Sequence, residues 1–134
     1  MVSQENVDVL LAIVEHFNEG DRNVPTEYLD PEVELDTPFS SVSGTPFRGY
    51  AGIEQWLREL DEHFSEWQNR IDEAQEVDKA VIAFGSVHLR GRASDVPLDQ
   101  AAAWVGFFGP DHRVTRASIY LDRADALKAV GLEE

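Results

Sequence analysis

The sequence predicts an α+β domain. Apolar residues recur at helical spacing as far as Phe64, and two-residue alternation dominates from Lys79 to Leu121. Gly-, Pro- and Asp-bearing turns separate the segments. Helices come first and a meander of strands follows, rather than the interleaving of βαβ units.

Ser3 is a good helix N-cap, and Glu5 in the first turn favours the helix dipole. Val7, Leu10, Leu11, Val14 and Phe17 then follow helical spacing, and the Gly20-Asp21 pair ends the segment. Pro25 opens a second, short helix through Tyr28 and Leu29, which Asp30-Pro31 breaks. Val33 to Thr37 reads as the first strand, and Phe39 to Gly49, rich in Ser, Gly and Pro, as a loop. A third helix covers Tyr50 to Phe64, with a stripe of Ile53, Trp56, Leu57, Leu60 and Phe64. Trp67 to Val77 is a polar edge strand. Lys79 to Arg92 is a long strand with Ile82, Phe84, Ser86, His88 and Arg90 on one face and Val81, Ala83, Val87 and Leu89 on the other. Ser94-Asp95 turns the chain into Val96 to Phe108, and Gly109-Pro110-Asp111-His112 turns it again. Arg113 to Leu121 is the last strand. Asp122 caps a final helix through Val130, which Gly131 closes.

The 134 residues suffice for one domain, 1–134, with a real core. No apolar stretch approaches the ~20 residues of a membrane helix, and the first residues lack a signal-peptide pattern, so a cytoplasmic location is expected. The absence of cysteine excludes disulfides, a cysteine nucleophile and thiolate metal sites. A net charge of -15, from 26 acidic against 11 basic residues, repels phosphate backbones and anionic lipids. Neither nucleic acid nor membrane is therefore an expected partner. No His-x-x-x-His or His-x-His pair, phosphate loop or nucleophile elbow is present, so neither metal nor cofactor is expected.

Four segments, in this order and spacing, resemble the SnoaL-like branch of the nuclear transport factor 2-like superfamily. They are Phe17-Asn18-Glu19-Gly20-Asp21, Asp30-Pro31-Glu32-Val33, Phe47-Arg48-Gly49-Tyr50-Ala51-Gly52-Ile53 and Tyr120-Leu121-Asp122-Arg123-Ala124. The resemblance covers Ser3 to Leu132. It implies a cone-shaped, curved mixed or antiparallel sheet wrapped around a long helix, a hydrophobic cavity, and frequent homodimers. The superfamily includes polyketide cyclases, ketosteroid isomerases, epoxide hydrolases, dehydratases and binding-only proteins, and fold alone does not choose among them.

Asp36 matches the place of the ketosteroid isomerase base, at the end of the first strand before Pro38. A carboxylate at the mouth of an apolar cavity suits proton abstraction beside a carbonyl. The plainer reading is a solvated strand-end aspartate. The isomerase's two oxyanion donors match Ile13 and Trp104 here, so both are lost. His88 becomes an acid or base if the face it shares with Phe84 lines the cavity; otherwise it is a surface or core histidine. Tyr28, Trp56, Phe84, Trp104 and Tyr120 are the expected aromatic pocket wall, with core packing as the plainer role. Arg90 and Arg92 either bind an anion or protect a strand edge.

Three functions follow. The first is cofactor-independent isomerisation, cyclisation or hydration of a small hydrophobic substrate, with Asp36 as acid or base and His88 as partner. The second is binding without catalysis. The third is an interaction module whose cavity is filled by its own side chains, which an interior void below roughly 100 Å³ would favour, since ligand pockets run to about 300 Å³ or more.

Overall fold

The structure, a computed structural model, describes residues 5–20, 23–37, 46–78 and 80–132. The expected cap Ser3, Asp21, Pro38, most of the loop from Phe39, and Lys79 lie outside the described residues.

Helix α1 spans Glu5–Asn18 and buries Val7, Leu10, Ile13 and Val14. Leu11, expected on that stripe, faces solvent, and Ile13 takes its place. Gly20 adopts φ +81°, a left-handed cap open to glycine at no steric cost. The short second helix does not form. Residues 26–28 make a turn, closed by the Tyr28 N–H donating to the Pro25 carbonyl at 3.0 Å. So few residues cannot repay helix nucleation.

Strand β1 spans Leu29–Asp36, starting before the expected break at Asp30-Pro31. Its parallel register with the last strand lapses between Leu29 and Glu34, so Pro31 sits where the ladder asks least of it. The two-residue strand β2 (Phe47–Arg48), read as loop in the sequence, pairs with Glu34 and Leu35. Helix α2 (Gly49–His63) buries Ile53, Trp56, Leu57 and Leu60, while Phe64 starts the next strand.

Strands β3 (Phe64–Val77), β4 (Ala80–Gly91), β5 (Pro97–Phe108) and β6 (Val114–Tyr120) form the expected meander. Helix α3 (Arg123–Ala129) follows, capped as expected by Asp122, whose carboxylate accepts the Ala124 N–H at 2.8 Å. The sheet order is β2-β1-β6-β5-β4-β3; β1 and β6 run parallel and the other neighbours antiparallel. The sheet is mixed, and β3 is an edge.

Side chains of α1, α2 and one sheet face form the larger core, with Val33, Leu35, Val81, Val87 and Trp104 among them. The opposite face carries a smaller core, in which Ile82, Phe84, Ala103 and Val105 meet Ala126 and Leu127 of α3. With both faces covered there, Ala80 to Phe84 is buried throughout.

Edge strand β3 is held to α1 by two amide side chains: the Gln68 Nε2 donates to the Asn18 carbonyl (3.0 Å), and Asn18 makes the other hydrogen bonds. Asn18 donates through Nδ2 to the Asn69 carbonyl (2.8 Å), and its Oδ1 accepts the Asn69 backbone N–H (2.8 Å) and Nδ2 (3.1 Å). It thus stands in for a neighbouring strand at that position.

Candidate functional site

Between α1, α2 and the inner sheet face lies an apolar cavity of about 70 Å³. Helix α1 contributes Leu10, Ile13 and Phe17, and α2 contributes Ile53 and Trp56. The sheet adds Val33 and Leu35 from β1, Trp104 from β5 and Val114 and Ala117 from β6. No ionisable side chain is among the described lining residues. Phe17 and Trp56 meet edge to face, with ring centroids 5.6 Å apart at 76°. The Trp56 indole Nε1 is buried and has no hydrogen-bond partner among the described residues. Asn69 of β3 adds an amide to the lining. The sequence reading missed Asn69, although Trp67, Asn69 and Ile71 already alternate half-buried along that polar strand.

Trp56 and Trp104 line this cavity, as does Ile13 at one of the lost oxyanion positions. Tyr28 packs half-buried against the larger core, and its carbonyl accepts the Val114 N–H at 2.9 Å, but it is not on the cavity wall. Asp36 ends β1 with its side chain exposed, because the pleat that turns Val33 and Leu35 inward turns Glu34 and Asp36 away. Phe84 and Tyr120 were expected on the cavity wall and lie on the other face of the sheet, against the smaller core. Phe84, Ser86 and His88 share one face of β4, and that face looks outward, because α3 rather than α1 and α2 covers its buried part.

His88 stands on this outer face, between two carboxylates. Its Nδ1 lies 2.9 Å from Asp99 and its Nε2 3.2 Å from Glu66. Only the imidazolium, with two N–H groups, satisfies both. Hydrogen bonding to Asp99, then to Glu66, raises the His88 pKa above its usual value. The Glu66 pKa is lowered by hydrogen bonds from Arg90, at 3.1 Å, and from His88. Arg90 also pairs with Asp95 at 3.5 Å, and Arg92 donates to the Asp61 carbonyl. Both arginines thus have intramolecular partners, and β4 is an interior strand. Among the described residues no group of three His, Cys, Asp or Glu side chains could hold a metal ion. No described helix is long and apolar enough to cross a membrane.

A family model described as a SnoaL-like domain matches residues 10–117. No match is found among curated proteins. Among solved structures, an NTF2-like protein from Burkholderia pseudomallei superposes with a TM-score of 0.80 at 17% identity, over 96% of this chain and 99% of that one. A candidate SnoaL-like polyketide cyclase from Shewanella denitrificans gives 0.71 at 18%, over 92% and 97%. TerC, co-crystallised with polyporic acid, gives 0.77 at 18%, over 94% and 98%. At these identities the likeness is one of fold, and it carries the cone shape of the sheet.

Proposed function

The chain belongs to the SnoaL-like domain family, and on that premise we propose that it binds a small hydrophobic molecule, or the apolar end of a larger one, in the cavity between α1, α2 and the sheet. The observation that carries this reading is a lining of aliphatic and tryptophan side chains without an ionisable group among the described residues. Apolar walls with a few polar atoms are what small-molecule sites offer. A ligand oxygen at Trp56 Nε1 would satisfy a donor whose burial costs about 1–3 kcal/mol. The co-crystal of TerC with polyporic acid is consistent with small-molecule binding on this fold.

Binding is favoured over acid–base catalysis because Asp36 and His88 are both off the cavity wall. Proton transfer needs the acid or base within hydrogen-bond reach of the substrate. A second reading, the self-filled interaction module, is favoured by size. The void of about 70 Å³ falls below the roughly 150 Å³ that admits benzene in an engineered cavity. A ligand of ordinary size therefore requires Trp56, Trp104 or Phe17 to move.

The test is thermal unfolding of the protein and of Asp36→Asn with small ketones, phenols, lactones and epoxides, followed by product analysis of every hit. At 100 times its dissociation constant a ligand stabilises by about 2.7 kcal/mol, a shift of several degrees at this size. A saturable shift without turnover is the expected result. Turnover that Asp36→Asn abolishes would restore the isomerase, cyclase or hydratase reading. No shift with any compound would favour the interaction module.

A further inference from the structure

We propose that the outer face of the sheet carries a second binding site, for a small organic cation of the guanidinium or alkylammonium type, which Arg123 occupies from within the chain. The site is independent of the interior cavity. Phe84 of β4 and Glu73 of β3 are directly opposed partners in the β3–β4 ladder, so the sheet itself holds an aromatic ring and a carboxylate on one face. The Arg123 guanidinium lies over the Phe84 ring, 3.9 Å from its centroid, and 3.2 Å from the Glu73 carboxylate. A ring face beside an anion is the arrangement that recognises organic cations.

The occupant comes from elsewhere. Arg123 is the first residue of the seven-residue helix α3, its side chain is 54% exposed, and its partner Glu73 is 62% exposed. Exposed ion pairs of this kind hold weakly, so the arginine can leave while the ring and the carboxylate stay. There is also room for an external ligand. Two grooves of about 140 Å³ each flank the Phe84–Arg123 contact, one bounded by Glu73 and Leu127, the other by Ala101 and Leu121. They suit a short apolar arm attached to the cationic head. The net charge of -15 raises the local concentration of cations around the whole surface.

The test uses the full chain at low ionic strength, with methylguanidinium and tetramethylammonium as probes and the aromatic resonances of Phe84 as readout. Arg123→Ala should show saturable shifts at Phe84, and Arg123→Ala combined with Glu73→Gln should lose most of them. If Arg123 fills the site nine-tenths of the time, the unaltered protein should bind roughly tenfold more weakly than Arg123→Ala. The proposal is overturned if Arg123→Ala gives no saturable shift at Phe84. It is equally overturned if the two proteins bind alike, or if neutral tert-butanol shifts Phe84 as the cations do. Phe84→Leu in the Arg123→Ala background, titrated with the same two cations by calorimetry, should abolish binding, and retention there would also sink the idea.

Discussion

Gly85→Ala is expected to be among the most damaging single-methyl changes in this protein. Strand β3 carries an irregularity between Ile71 and Glu73, and Gly85 lies opposite it, paired with Ile71. A Cβ built at Gly85 would stand 1.8 Å from the Arg70 carbonyl oxygen, 2.8 Å from its carbon and 3.1 Å from the Ile71 Cα. All three atoms are backbone, so no side chain can rotate away, and the strands must separate locally by more than about 1 Å. Overpacking costs about 1–3 kcal/mol, and the one or two ladder hydrogen bonds lost with it cost about 1 kcal/mol each. A destabilisation of about 2–5 kcal/mol should follow, and in a domain of this size that lowers the melting temperature by roughly 6 °C or more. Thermal and urea unfolding followed by circular dichroism measure it. Gly106→Ala is the control. Its Cβ would meet Phe108 at 3.4 Å and Leu10 at 3.6 Å, ordinary contacts for a strand residue, so that variant should melt close to wild type. Indistinguishable melting of the two variants would refute the steric argument, because only the first pushes on backbone.

Two further predictions concern side chains that join elements. The raised His88 pKa means that folding gains from its protonation. That gain is fully present below the unfolded value near 6.5 and disappears as pH rises through the higher folded value. The stability gap between wild type and His88→Gln should therefore shrink on going from pH 6 to pH 9, and Asp99→Asn should lower the His88 titration midpoint seen by NMR. Asn18→Ala removes three hydrogen bonds to Asn69 and strands its backbone groups. It should cost about 2 kcal/mol in urea unfolding, whereas a change at exposed Glu19 should cost almost nothing.

The long periodic elements were legible in the sequence because each follows a single rule. The stripe of Ile53, Trp56, Leu57 and Leu60 specifies α2, and the alternation of β4 specifies which side chains share a face. What alternation cannot state is which face looks inward. Ile82 and Phe84 are as apolar as Val81 and Ala83, since α3 covers one side and α1 and α2 the other. Phe84 and Tyr120 were assigned to the cavity for that reason. The assignment of Asp36 to the cavity mouth has a different origin. It came from matching a position in a motif, while the inward turns of Val33 and Leu35 already implied an outward aspartate. The two-residue β2 exists only through its pairing with Glu34 and Leu35 of β1, which local propensity does not encode, and residues 26–28 carry helix-start signals but are too few to nucleate one.

The parallel seam between β1 and β6 bears on how the chain reaches this fold. Strands β3, β4 and β5 join through short connections and can zip locally, but β1 must find Arg116, Ala117 and Ser118 near the other end of the sequence. Closing so large a loop is repaid only once the meander exists. Strand β1 is therefore expected to dock late and to open first under native conditions, with faster amide exchange than β4. Because β1 and β6 together form one wall of the interior cavity, the last seam to close during folding is also the one that seals that cavity.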